Sequence, residues 1–210
     1  MSTPLGISTR RMIVCLEAIV GHSRAQARRR LRRVIASSWL LSRPYYRLCG
    51  ARLVGRPSDE VWYFAYGANM HEGTFRVRRG IQPREFRRAR LDGYRLRFNL
   101  EGRPKGRAAP ANLWPDHEAQ VWGVVYRISR RDLMRLDRTE GVPGRGYRHT
   151  AVTVEADDRQ RLDAVAYIAE GKDLDGKPSL RYVTLLREGA RAHGLPANYI
   201  RFLESVEHAG

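Results

Sequence analysis

Val61-Trp62-Tyr63-Phe64-Ala65-Tyr66-Gly67-Ala68-Asn69-Met70 is the stretch whose reading decides the fold. Residues 61–65 form an apolar, aromatic-rich run of strand length, and the run meets Gly67 without a polar spacer. Glycine lets the backbone turn sharply and lets a ligand approach its amides. Successive N–H groups in such a turn make a concavity suited to a carboxylate or another anion. Asn69 adds a donor and an acceptor and tolerates unusual turn backbone. No Gly-Lys-Ser/Thr follows, so the turn is not a P-loop, and it lacks the glycine spacing of a dinucleotide site. Alone, a strand ending in Gly-Ala-Asn is most often an ordinary turn.

Outward from this strand the chain alternates between sheet and helix signals. Tyr94, Leu96 and Phe98 alternate with Arg95 and Arg97, the pattern of a half-buried strand. Residues 121–126 form an apolar run interrupted by Gly123, as in a strand that bends tightly or passes close to a ligand. Val152 and Val154 alternate with polar residues, and 164–169 reads as a further strand. Ser129 with Asp132 predicts a helix start, and Gly141 a stop. Ser179 predicts the cap of a helix over 180–193 that ends at Gly194. Pro196 fits the first turn of a last helix, with Tyr199, Phe202, Leu203 and Val206 on its apolar face. Strands precede helices without βαβ alternation, which predicts an α+β fold: a small curled sheet, mixed or antiparallel, with helices packed on it.

Residues 1–58 have a different texture: twelve arginines and one acid, Glu17. This arginine-rich extension reads as helical or disordered, and 59–210 reads as the globular domain. The basic stretch suits weak contact with an anionic membrane surface or with nucleic acid, or else a poorly ordered arm. The formal net charge of +17 comes almost entirely from arginine, because lysine occurs only at 105, 172 and 177. The plainer reading is that arginine stands where other chains use lysine on an ordinary solvated surface, and no nucleic-acid-binding module is recognisable. The two cysteines, Cys15 and Cys49, precede the domain and have no metal-ligand spacing, so a reducing, cytoplasmic setting is expected. The six histidines form no HExxH-type pair, so no metal is expected, and Gly-x-Ser-x-Gly is absent.

Glu140 is the acid that stands out. It closes Leu136-Asp137-Arg138-Thr139-Glu140, at the negative end of the helix expected from Arg130. That end, and Asp137 one turn back, both disfavour a carboxylate anion, the direction useful to a general acid/base. Arg135 and Arg138 are placed to oppose the effect.

Four blocks in order give these features a common identity. They are Tyr63 to Met70; Val121-Trp122-Gly123-Val124-Val125-Tyr126; Leu136-Asp137 with Glu140-Gly141-Val142 and Tyr147; and Pro178-Ser179, Tyr182, Gly189-Ala190 and Gly194-Leu195-Pro196 with Tyr199. In this order, from 61 to about 204, the chain resembles the γ-glutamylcyclotransferase family. The resemblance implies a small β-barrel-like mixed sheet with packed helices. It also implies a small-molecule γ-glutamyl substrate, converted to 5-oxoproline and a free amino acid without cofactor or metal. By the same resemblance Glu140 is the catalytic acid/base, Tyr63, Phe64, Ala65, Tyr66, Gly67 and Ala68 are the substrate-binding stretch, and Tyr182 lines the pocket. Asn69 belongs to the same cradle by its turn chemistry, and Tyr147 offers a hydroxyl or is a half-buried core tyrosine. Ala68 stands where many relatives carry serine, which leaves the preferred substrate open. The other readings are a related cyclotransferase acting on γ-glutamyl amines or on a γ-glutamyl-capped metabolite, and a catalytically silent binding module whose basic arm binds nucleic acid or lipid; a homodimer is a further expectation.

Overall fold

The computed structural model describes residues 57–102, 108–140, 142 and 147–209. The expected extension therefore lies, through residue 56, outside the described residues, as does Gly141.

Five strands close into a barrel: β1 (Glu60–Ala65), β2 (Glu85–Arg97), β3 (Asn112–Ser129), β4 (Tyr147–Ala156) and β5 (Arg161–Ala169), in the order β1-β3-β2-β4-β5. Neighbours run antiparallel except β1 and β5, whose parallel pairing of Trp62 with Ala164 and Tyr63 with Val165 closes the ring. The sheet is therefore mixed. Closure leaves no long open edge and encloses the apolar face of each strand. Phe64, Leu113, Val121, Val124, Ile128, Val154 and Ala166 are among the fully enclosed residues.

β2 and β3 are longer than their apolar runs, because Tyr94–Arg97 pair with Asn112–Pro115 beyond the apolar part of β3. The register shifts between Asp92 and Tyr94, where Gly93 takes φ +79°, a bulge that a side chain would strain. Gly123 serves another purpose. A Cβ there would lie 2.3 Å from the Ala65 carbonyl oxygen and 2.9 Å from the Phe64 ring. Its missing side chain thus lets β1 and β3 approach beneath the cradle.

Among the described residues three helices pack around the barrel: α1 (Arg130–Glu140), α2 (Leu180–Ala192) and α3 (Ala197–Ser205). The expected caps form. The Asp132 amide donates to Ser129 Oγ at 3.1 Å and the Ser129 hydroxyl donates back to Asp132 Oδ2 at 2.7 Å. The Tyr182 amide donates to Ser179 Oγ at 3.2 Å. Val183, Leu186, Gly189 and Ala190 form the buried stripe of α2. Pro196 is the N-cap of α3 rather than a first-turn residue. On α3 only Tyr199 and Leu203 are buried; Phe202, expected on the apolar face, is exposed because the helix meets the barrel with a narrower stripe.

Between β1 and β2 the chain makes two short turns. A 3₁₀ turn spans Ala68–Met70 and a π-helical turn spans Gly73–Arg78, closed by the Arg79 amide donating to the Thr74 carbonyl at 3.0 Å. The π turn is anchored by Phe75, stacked on Tyr126 at 4.3 Å and on Tyr63 at 6.0 Å between ring centroids. Among the described residues no helix is long and apolar enough to cross a membrane.

Candidate active site

The end of β1, the 3₁₀ turn, the C-terminus of α1, and the starts of β3, β4 and α2 converge on one cavity of about 280 Å³. A volume of that order suits a small ligand. Tyr63, Tyr66, Gly67, Ala68, Asn69, Glu140, Tyr147 and Tyr182 all line it. Residues from the first, third and fourth blocks, far apart in sequence, are thus brought together, whereas none from 121–126 lines the cavity. Phe64 and Ala65 are not part of this wall: both are buried, and they meet the space left by Gly123. Strand alternation turns Tyr63 to the cavity and Phe64 away from it.

Glu140 lies in the last described turn of α1, and its side chain is about one-fifth exposed. Its Oε1 accepts from Asn69 Nδ2 at 3.3 Å and from Arg79 Nη2 at 3.1 Å. Asn69 Nδ2 also donates to the Tyr63 hydroxyl at 2.9 Å. The asparagine thereby ties the acid to the strand as well as shaping the turn.

Two expectations about the electrostatics of Glu140 are corrected. Arg79, from the π turn, supplies its counter-charge, whereas Arg135 donates to the Gly80 carbonyl at 2.9 Å. Asp137 is not a like charge beside it on the helix surface. Asp137 is fully buried, with His149 Nε2 at 2.5 Å from its Oδ1 and the Tyr167 hydroxyl donating to the same oxygen at 2.6 Å.

The tyrosines form the rest of the wall. The Tyr66 hydroxyl donates to the Tyr167 carbonyl oxygen, and the Tyr147 hydroxyl donates to the Ala111 carbonyl at 2.9 Å. The Ala111 amide in turn donates to the Tyr182 hydroxyl oxygen at 3.2 Å. Burial, reinforced by neighbouring tyrosines and Glu140, pushes Tyr66 well above the ordinary tyrosine range. Burial and then the charge of Glu140 raise Tyr63, and burial pushes Tyr182 up to about 12. Burial and then Asp137 raise Tyr167. These phenols therefore stay neutral at ordinary pH and act as hydrogen-bond donors or acceptors rather than as bases.

Sequence reasoning missed Arg79 and Tyr167. Arg79 lies among other arginines and reaches the site only because of the π turn, a feature with no simple sequence signature. Tyr167 lies in an apolar strand and reads as core, which it also is. Among the described residues no group of three or more His, Cys, Asp or Glu side chains is arranged to hold a metal ion.

The model of the AIG2-like family matches residues 120–203, which span most of β3 through α3. The chain is 29% identical over 161 residues to the γ-glutamylcyclotransferase of Bos taurus, covering 74% of this chain and 83% of that one. It is 28% identical over 162 residues to the Homo sapiens γ-glutamylcyclotransferase, covering 75% and 85%. A solved structure of a γ-glutamyl cyclotransferase superposes with a TM-score of 0.66 at 27% identity, covering 72% of this chain and 90% of that one. In sequence and in fold together, the chain is similar to γ-glutamylcyclotransferases.

Proposed function

We propose that the protein is a γ-glutamylcyclotransferase that converts γ-glutamyl amino acids to 5-oxoproline and the free amino acid, with Glu140 as general acid/base. The general activity is supported by the similarity to the bovine and human γ-glutamylcyclotransferases. One observation carries the finer reading: Glu140 is the only enclosed proton acceptor among the described cavity-lining residues. The other carboxylate there, Glu101, is exposed and faces Lys172 at 3.8 Å. No histidine is among the described lining residues, and burial keeps the tyrosines neutral.

A γ-glutamyl group brings its own nucleophile, the α-amino nitrogen, and cyclisation onto the γ-carbonyl forms a five-membered ring. The protein has to fold the chain into a near-attack conformer, exclude water and relay protons from the attacking to the leaving nitrogen. The α-ammonium gives its proton to the Glu140 carboxylate and the freed amine attacks the γ-carbon. The new carbon–nitrogen bond forms, and the bond to the departing amino acid breaks. Glu140 then protonates the leaving nitrogen as it departs, and the restored carboxylate takes the second proton from the attacking nitrogen and passes it to the released amine, which leaves a lactam N–H and an ammonium. Asn69 and Arg79 both hold Oε1, so Oε2 is assigned the proton transfer. The turn over Gly67–Asn69 borders the same space and offers amides to the charge that develops on the γ-carbonyl oxygen.

The experiment is to incubate the protein with γ-glutamyl-alanine and identify products by mass. Equal amounts of 5-oxoproline and alanine are expected. Free glutamate would mean hydrolysis by water and would overturn the intramolecular reaction, as would an unchanged substrate.

A further inference from the structure

Arg79 does more in this geometry than accompany Glu140. It is the only cationic side chain among the described cavity-lining residues. It meets Glu140 through Nη2 at 3.1 Å, while its Nε is enclosed and has no hydrogen-bond partner among the described residues. A guanidinium carries five N–H donors in a planar fork, so this side chain has hydrogen-bonding capacity beyond the carboxylate it touches. Its position is built deliberately. The π-helical turn of Gly73–Arg78, braced by the Phe75 stack, delivers Arg79 to the cavity, and π turns recur at functional sites.

We propose that Arg79 and Glu140 together form a receptor for the zwitterionic α-carbon of the substrate, Arg79 taking the α-carboxylate and Glu140 the α-ammonium. This rests on the γ-glutamyl reading above and deepens it by naming the group that recognises the carboxylate. The ammonium and carboxylate of an α-amino acid hang on one carbon, so their two receptors must also be nearly in contact. The distance of 3.1 Å between Arg79 and Glu140 meets that requirement. The charges match as well. A substrate carboxylate brought next to Glu140 without a cation would be repelled in a site of low dielectric, and Arg79 converts that repulsion into a charge-assisted hydrogen bond. With the carboxylate held there, the amides of the Gly67–Asn69 turn are available to the γ-carbonyl oxygen. Selection follows: the enzyme requires a free α-carboxylate, and substrates in which that group is an amide are disfavoured.

The test compares wild type, Arg79→Gln and Arg79→Lys on γ-glutamyl-alanine and on the same compound with its α-carboxylate replaced by a carboxamide. Arg79→Gln should raise KM for the carboxylate substrate by roughly 10- to 100-fold, the scale of a lost charged hydrogen bond. It should change KM for the carboxamide by less than about threefold, since a neutral group has no charged bond to lose. Arg79→Lys should recover part of the loss, because it keeps the charge and loses the fork. Calorimetric binding of 5-oxoproline and its carboxamide, which are not consumed, gives the same comparison without turnover. Equal penalties on both members of a pair would reduce Arg79 to a support for Glu140 and overturn the proposal, as would no penalty on either. Wild-type protein that binds 5-oxoproline in an Arg79-dependent way yet turns over neither substrate would contradict the proposed reaction and leave the receptor standing.

Discussion

Two acids one turn apart on α1, Asp137 and Glu140, end in opposite surroundings. Asp137 is enclosed between α1, β4 and β5, with His149 and Tyr167 on one carboxylate oxygen. Glu140 stands at the cavity with one oxygen held by Asn69 and Arg79. In sequence they form one motif, and both count towards the same family resemblance. In the folded chain one acid is structural and the other faces the ligand space. What separates them is the helix rotation and the partners that distant segments bring, so motif membership alone cannot assign a role. Tyr167 joins the two regions: its hydroxyl meets Asp137, its carbonyl receives the Tyr66 hydroxyl, and the residue also lines the cavity.

The strongest expected effect on stability breaks the buried half of this comparison. Asp137→Ala leaves His149 and Tyr167 facing an empty space in the core, at a cost of about 3–5 kcal/mol by analogy with other broken buried pairs. For a domain of this size that lowers Tm by roughly 10 °C, measurable by thermal denaturation. A loss within about 1 °C would mean the pair contributes little. A smaller effect should come from behind the cradle. A Cβ on Gly189 of α2 would lie 2.9 Å from Met70 Cβ, the Met70 carbonyl carbon and the His71 amide nitrogen. Gly189→Ala should therefore cost about 1–3 kcal/mol of overpacking. Because Met70 follows Asn69 directly, it should also reduce kcat/KM, in contrast to a remote core substitution of equal cost. Activity that stays intact while Tm falls would show that the cradle does not depend on α2 for its position.

The smallest effect concerns pH and the same face of α2. His193 Nε2 lies 3.1 Å from the Met70 carbonyl oxygen and 3.1 Å from the Tyr126 hydroxyl. Burial lowers its pKa from the ordinary value, and Arg76 adds to this, whereas the Met70 carbonyl and Glu72 oppose it. A lowered folded-state value means that the unfolded chain binds the proton more readily. This contribution to stability is complete above the unfolded value near 6.5 and is lost as pH falls through the lower, folded one. Since His193 is only half-buried, the expected result is a modest decline in Tm below about pH 6.5 that is shallower in His193→Gln. An identical slope in the variant would remove His193 from the account.

The comparison also shows how far the sequence could be read. β1, the caps at Ser129 and Ser179, the stop at Gly194 and the place of Glu140 in α1 follow from local chemistry and appear as expected. The full lengths of β2 and β3 do not. Pro115, Asp116, His117 and Glu118 carry the signature of a loop, and they belong to β3 only because the paired stretches on either side, ending at Pro115 and resuming at Gln120, hold them in one strand. Ring closure by β1 and β5 is likewise a contact between distant segments with no local mark. At the site, the turn and the acid could be found, but Arg79 required the π turn. The burial of Asp137 required His149 and Tyr167 to arrive from β4 and β5. Phe64 and Ala65 entered the cradle through the family resemblance, yet neither lines the cavity: alternation turns Phe64 away from it, and Ala65 is buried in the core.

The most direct measurement assays 5-oxoproline release and Tm side by side for wild type, Glu140→Gln and Asp137→Asn. Glu140→Gln should lose on the order of 10²- to 10⁴-fold in kcat, the scale of a lost general acid/base, with Tm within about 2 °C of wild type. Asp137→Asn should show the reverse ranking, with the larger fall in Tm and the smaller loss of kcat per folded molecule. Release of 5-oxoproline by Glu140→Gln at a rate close to wild type would contradict the assignment of Glu140 as the acid/base.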